Sequence, residues 1–284
     1  MPEGPPELSF TIRPFATREE YEACSRFQEE IWGEEFNERV SPAMLKLANR
    51  IGGLAAGAYG EDGGLLGFVF GLTGVRDGEL VHWSDMLAVR ADLRDRGMGT
   101  ALKAYQREVL LSRGIRRMHW TFDPLQSRNA YVNFSKLGIV SGEFVPDMYG
   151  DTGSPLHGAG TDRLIATWLM DSQRVARRMA GAEALPTLGK ISRPPSALPV
   201  VRGEPVPIPG RPRLDLAAPA LLLAVPRDID LVLEESPEAA RRWREATRSV
   251  FDTYLNRGYR VVEFLPEGSV SQYLLVSGGE EKTG

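Results

Sequence analysis

The sequence is poor in the residues that would announce a specialised chemistry. It has one cysteine, Cys24, which excludes an intramolecular disulfide framework and any multi-thiolate metal site and fits a reducing, cytoplasmic setting. Cys24 falls in a stretch with helical spacing and reads as packing. Excess charge is also missing: 34 Lys and Arg against 38 Asp and Glu leave a net charge of -4, too weak a field to draw nucleic acid or an anionic membrane surface. No apolar run approaches membrane-spanning length, and the opening Met-Pro-Glu-Gly-Pro-Pro has neither the basic segment nor the apolar run of a signal peptide. Nucleic acid, membrane and metal are therefore not expected as partners. What the chain does have is room, since 284 residues suffice for two ordinary domains or for one core with a large extension.

Periodicity and turn residues predict a mixed α/β layer. A short strand at 10–14 precedes a helix at 17–32, with Thr17 as N-cap and Tyr21, Cys24, Phe27 and Ile31 on one face. A second helix spans 42–50. Strands at 53–59 and 65–72 flank the turn Glu61-Asp62-Gly63-Gly64, which reads as a hairpin. A strand at 80–89, a helix at 99–113 closed by Gly114 and a strand at 118–122 follow. A helix near 129–136 ends at Gly138, and strands at 140–145 and 163–169 complete the series. Prolines then crowd at 186, 194, 195, 199, 205, 207, 209 and 212, predicting a linker or extended strap. Beyond it come a strand at 220–225, a helix from Ser236-Pro237-Glu238 to Arg257, and strands at 259–264 and 272–277. Arg113-Gly114-Ile115-Arg116 is echoed by Arg257-Gly258-Tyr259-Arg260, and Leu87-Ala88-Val89 by Leu223-Ala224-Val225; a degenerate half-copy and chance both fit so short a similarity.

The most informative segment is Arg94-Asp95-Arg96-Gly97-Met98-Gly99, which joins a strand directly to the helix opening at Thr100. Glycines there let backbone amides approach a ligand with no β-carbon in the way, and a helix N-terminus attracts anions. The dipole alone contributes about 0.3–1 kcal/mol, so several amides together with Arg94 and Arg96 would have to share the binding of a diphosphate. No Gly-Lys-Ser/Thr follows and the three-glycine dinucleotide spacing is absent, which argues against ATP and NAD. Taken alone, the pattern also fits an ordinary helix cap.

From residue 80 to Gly138 the order of elements resembles the central motif of the GNAT acyltransferase superfamily: a strand ending in Leu87-Ala88-Val89, the Arg94-x-x-Gly97-x-Gly99 loop, a helix, a strand, Asn129-Ala130, then Lys136-Leu137-Gly138. The resemblance covers residues 10–170 in element order. It implies a GNAT fold, with acetyl-CoA or another acyl-CoA as cosubstrate. It also implies a cofactor-binding set of Leu87, Ala88, Val89, Arg94, Asp95, Arg96, Gly97, Met98, Gly99, Thr100 and Asn129, in which the loop amides take the pyrophosphate, the strand backbone takes the pantetheine and Asn129 helps to position it. The alternative for Leu87 and Val89 is core packing. The division expected is an acyl-CoA-binding domain at 1–172, a proline-rich linker at 173–213, and a C-terminal β-α-β-β half-domain at 214–284.

Acyl transfer to an amine needs a base, a polarised carbonyl and a proton for the leaving thiolate. Where many relatives carry a glutamate base this chain has Trp83, and where many carry a tyrosine acid it has Phe134. Asp85 is the candidate base or amine anchor, with a strand-end ion pair as its alternative and His82 as its rival. Period-two alternation sets Trp83, Asp85 and Leu87 on one face and His82 and Ser84 on the other unless a bulge intervenes. Tyr131 falls on a different helical face, which leaves Tyr149 as the candidate acid. The glycine-rich segment 149–160 reads as a loop bordering the acceptor, with Asp151 and His157 as possible contacts or plain solvated residues. Arg163, just after Asp162, suits a substrate carboxylate held bidentately or a structural ion pair.

The expected activity is transfer of an acetyl or other short acyl group from acyl-CoA to the amine of a small molecule, an amino acid among the candidates. Succinyl-CoA as donor, and a non-catalytic acyl-CoA sensor, are the alternatives. No second phosphate loop follows Val225, so the C-terminal piece is expected to extend the sheet, to cover the acceptor cleft or to form a homodimer.

Overall fold

The computed structural model describes residues 9–150, 160–181, 194–201, 203 and 206–278, and they fall into two units that part between His119 and Trp120. The class is mixed α/β, with both antiparallel and parallel strand pairs. No helix among the described residues is long and apolar enough to cross a membrane.

The first unit begins with β1 (Thr11–Pro14), α1 (Arg18–Trp32) and α2 (Pro42–Arg50). Thr17 caps α1 by accepting from the Glu20 amide while the Glu20 side chain reaches back to the Thr17 backbone, a reciprocal cap whose loss costs about 1 kcal/mol. Ser41 caps α2 by accepting from the Met44 amide, with Pro42 in the first helical position. Then come β2 (Leu54–Tyr59), β3 (Leu65–Arg76), β4 (Glu79–Val89), α3 (Met98–Ser112) and the first half of β5 (Arg117–Phe122), whose second half belongs to the other unit, in spatial order β1-β2-β3-β4-β5. The β3–β4 hairpin runs past the expected ends at 72 and 80 to a tight turn in which Asp77 and Gly78 both have positive φ.

All six residues of β2 are buried, because the sheet is covered on both faces. On one face Tyr21, Cys24 and Phe27 of α1 and Leu45 of α2 pack against Phe68, Phe70, Met86 and Ala88. On the other, Met98 and Leu102 of α3 pack against Val69, Leu87 and Val89. Each aromatic or aliphatic side chain so buried contributes roughly 1.5–3 kcal/mol.

In the second unit α4 (Ser127–Tyr131) continues into a π-helical turn, Val132–Leu137, followed by β6 (Val140–Val145), β7 (Arg163–Leu169) and α5 (Gln173–Met179). Short strands β8 (Ser196–Leu198), β9 (Val200–Val201) and β10 (Ile208–Pro209) occupy the described part of the proline-rich stretch. They precede β11 (Ala220–Pro226), α6 (Ile229–Glu235), α7 (Pro237–Asn256), β12 (Tyr259–Glu267) and β13 (Val270–Ser277). The order is β7-β6-β12-β13-β11-β8, so of the expected roles of the C-terminal segment, extension of the sheet through β12 against β6 is what the structure shows. β13 separates β11 from β12, whereas β4 and β5 are direct neighbours; the two strand-helix-strand segments that echo one another in sequence thus differ in strand adjacency. α5 and α6 were not expected, although Ser172 and Asp228 cap them. The core centres on Tyr273, edge-on to Phe134, Phe251 and Phe264.

Candidate functional site

The parallel pairing of β4 with β5 covers Val81–Trp83 against Arg117–His119, yet β4 runs on to Val89 beside β3. Along that further stretch the edge of β4 away from β3 faces no strand among the described residues, so alternate backbone N–H and C=O groups there are left for something else to satisfy. The register also shifts: Gly71 faces Ser84 and Phe70 faces Met86, which leaves Asp85 as the extra residue of a bulge. A bulge restarts the alternation. His82 and Ser84 meet Gln106 and Lys103 of α3, and Leu87, on the far side of the bulge, packs against α3 as well. The face expected for Leu87 is thereby corrected: it shares a face with His82 and Ser84 and not with Trp83.

Asp85 itself projects to solvent from the bulge, but the surrounding protein desolvates its carboxyl and raises its pKa above the usual carboxylate value, opposed by a hydrogen bond from Trp83. His82 is excluded as a base. It is fully buried, and desolvation with the nearby Lys103 charge pushes its pKa down to about 3.

Behind the bulge lies a polar chain that sequence reasoning missed. Lys103 Nζ donates to Ser84 Oγ at 2.8 Å and Ser84 Oγ to Gln106 Oε1 at 3.0 Å. The Gln106 amide nitrogen lies 2.9 Å from His82 Nε2, His82 Nδ1 lies 3.0 Å from Thr73 Oγ1, and Thr73 donates to the Gly52 carbonyl at 2.7 Å. Only a neutral His82 protonated on Nδ1 lets every link point the same way. A helical wheel carries the signal, because Lys103 and Gln106 lie on the same buried stripe as Leu102 and Leu110. Desolvation lowers the Lys103 pKa to about 7. An unfolded lysine titrates near 10.4, so between about pH 10 and 7 the unfolded chain takes up a proton that the folded chain does not, and stability falls with pH until the loss is complete below the folded pKa. Lys103→Met is accordingly expected to gain on the order of a few kcal/mol over the unaltered protein at pH 6, with the gap closing toward pH 10. Denaturant midpoints measured across that range check this, and a gap independent of pH would contradict it.

At the end of β4 a 3-10 turn, Ala91–Leu93, anchored by the buried Leu93, leads into the loop. Arg94, Asp95, Arg96 and Gly97 are exposed. Asp95 has φ 65° and Gly97, the N-cap of α3, has φ 83°. Gly97 thus holds a left-handed conformation that a side chain would strain, and no side chain caps the helix. Met98 points into the core while Gly99 and Thr100 form the part-exposed first turn. A β-carbon placed on Gly99 would meet only Leu87 Cδ2, at 3.8 Å. Packing therefore does not require glycine there, and the space above the first-turn amides is open. Leu87 and Val89 are half-buried in the α3-side cluster, and Ala88 is buried on the opposite face.

The remaining candidates belong to the second unit. Asn129 is exposed on α4. Phe134 is fully buried between Phe122 and Tyr273, so that position offers no acid. Tyr149 lies just beyond β6, its hydroxyl 3.0 Å from Thr121 Oγ1 and its ring 5.3 Å from the Arg163 guanidinium. Asp162 is claimed by Arg248 at 2.6 and 3.0 Å, and the neighbouring Arg163 takes the Asp162 backbone carbonyl. Asp151 and His157 lie outside the described residues. Among the described residues no group of three or more His, Cys, Asp or Glu side chains is placed to hold a metal ion.

No family model matches this sequence, and no curated protein does. Solved structures similar in fold include a chain of the NatC complex bound to Gag peptide and CoA, 13% identical over 57% of this chain and 99% of that chain with a TM-score of 0.48. Others are the ribosomal-protein-S18-alanine N-acetyltransferase from Escherichia coli, 16% identical over 58% and 96% at 0.45, and aminoglycoside 6'-acetyltransferase type Ii, 19% identical over 57% and 99% at 0.44. At such identities the likeness is one of fold, and it does not carry a ligand or a reaction to this chain.

Proposed function

We propose that the chain is a GNAT-type N-acyltransferase that moves an acetyl or other short acyl group from acyl-CoA to the amine of a small molecule. The observation that carries the reading is the departure of β4 from β5 after Trp83, immediately before an uncapped helix N-terminus with open space over Gly99. An extended, amide-bearing chain ending in a diphosphate matches both halves of that arrangement: it can bond the free edge of β4 and seat its anion on the first-turn amides of α3, with Arg94 and Arg96 beside it. Acyl-CoA, when bound, supplies the activated acyl group. Asp85 takes the proton from the attacking amine, the unpaired backbone at the bulge polarises the carbonyl, and solvent protonates the departing sulfur. A desolvated carboxylate is the better base for this task, because its raised pKa brings it nearer to working pH. Asp85→Asn is expected to lower kcat by about 100-fold or more and to abolish the rising limb of the pH–rate profile. An unchanged profile would remove Asp85 from the role.

Calorimetric titration with coenzyme A, acetyl-CoA and succinyl-CoA, followed by thiol-release assays over a panel of amines, tests the whole reading. Absence of binding by any of the three would end it. The full burial of Phe134 at the position expected for the acid favours a second reading, an acyl-CoA-binding module without turnover, and binding with no thiol release from any amine would select that one.

A further inference from the structure

Three guanidinium groups gather around the start of β7, and their partners differ in kind. Arg244 forks onto Asp123 with both bonds at 2.7 Å, and Arg248 forks onto Asp162, a carboxylate only 1% exposed that also accepts the Asp147 backbone N–H. Both carboxylates are thus held bidentately by other residues. Arg163 is 6% exposed. Its partners among the described residues are the Asp162 carbonyl, 2.9 Å from Nη1, and the Tyr149 ring. A guanidinium carries five N–H donors, and one that is buried with no carboxylate in direct contact sits in an unfavourable site unless an acceptor comes from outside. Its Nε and Nη2 are not among the side-chain nitrogens sealed away without a partner, so that edge stays reachable.

Desolvation lowers the Arg163 pKa, with Asp123 and Asp162 opposing and Arg244 adding to it, yet a guanidinium remains charged at any physiological pH. The nearby carboxylates have their oxygens engaged by Arg244 and Arg248, and the planar fork of Arg163 matches an incoming carboxylate in geometry and in sign.

We propose that Arg163 anchors a small carboxylate, and hence that the acceptor amine is carried by an amino acid or a similar amino carboxylate. Naming the ligand an acceptor rests on the acyltransferase reading; the carboxylate site itself does not. The test uses the full chain, with calorimetry and thermal shifts against the common L-amino acids, their carboxamides and inorganic phosphate, and coenzyme A titrated in parallel. At least one amino acid is expected to bind, with its carboxamide weaker by on the order of tenfold to hundredfold. Arg163→Lys, which keeps the charge and loses the fork, should weaken the amino acid by about tenfold or more and leave coenzyme A affinity unchanged. Arg163→Gln should abolish amino acid binding; if it fails to fold, the lysine variant decides. Equal binding of acids and amides, a preference for phosphate, unaltered affinity in Arg163→Lys, or no amino acid bound by a protein that binds coenzyme A would each overturn the proposal. Failure of coenzyme A alone would instead strike the acyltransferase reading, leaving the carboxylate titration to stand on its own result.

Discussion

Gly99→Glu is expected to eliminate coenzyme A binding while leaving the protein at least as stable as before. The new side chain meets almost nothing, since Leu87 Cδ2 at 3.8 Å is the only heavy atom near its β-carbon. Exchanging a glycine inside the first turn of α3 for a better helix former gains about 0.5–1 kcal/mol, and a carboxylate near a helix N-terminus adds about 0.3–1 kcal/mol. That same carboxylate occupies and neutralises the position assigned to the diphosphate. Calorimetry should show no heat of binding and scanning calorimetry an unchanged or higher Tm. Gly99→Ala, which adds bulk without charge, should fall between the two. Coenzyme A binding that survives Gly99→Glu within about threefold, a difference of less than 1 kcal/mol, would mean that the anion is held elsewhere.

A large loss of stability is expected from Arg178→Ala. Arg178 on α5 and Glu263 on β12 form an ion pair in which each side chain is 4% exposed, and truncating one partner leaves the other as an uncompensated buried charge. Such losses cost roughly 3–5 kcal/mol, which for a chain of this size lowers Tm by on the order of 10 °C. Replacing both residues with methionine should recover most of that, because the desolvation cost disappears together with the attraction. Thermal scans of the single and double variants decide it: a single variant within about 1 kcal/mol of the parent would show that the pair is solvated and incidental. The pair also fastens the helix that follows β7 to a strand of the C-terminal segment, so the same experiment asks whether that segment is integral to the second unit.

Local signals carried most of the elements. Thr17, Ser41-Pro42 and Ser236-Pro237 each supply a cap with its own hydrogen bond, and the helices they open begin where those residues say. α5 and α6 escaped because each is seven residues long, too short for a period of 3.6 to stand out beside the prolines. At the site, the loop from Arg94 to Gly99 was legible because glycine at a helix start has a physical meaning in any sequence. The bulge at Asp85 was not, because an extra residue in a strand is specified by its partner, here Gly71 and Phe70 on β3, and leaves no periodicity of its own. Lys103 was hidden by its type: a lysine on an amphipathic helix normally reaches water, and acceptors such as Ser84 and Gln106 make its burial tolerable. The pairing of Asp162 with Arg248 was equally unreadable, since Arg248 is remote in sequence and met only through the fold.

Cys24 gives the first unit a clock. Its side chain is completely enclosed by the core that α1 and α2 build over the sheet, and burial pushes its thiol pKa up to about 12, so in the closed molecule it is both unreachable and unionised at pH 8. Alkylation must then wait for that core to open, and the thiolate released has an ordinary pKa near 8.5. Because no other thiol exists in the chain, the slow incorporation of a single label, followed by mass, times the opening of this half of the molecule with no substitution at all.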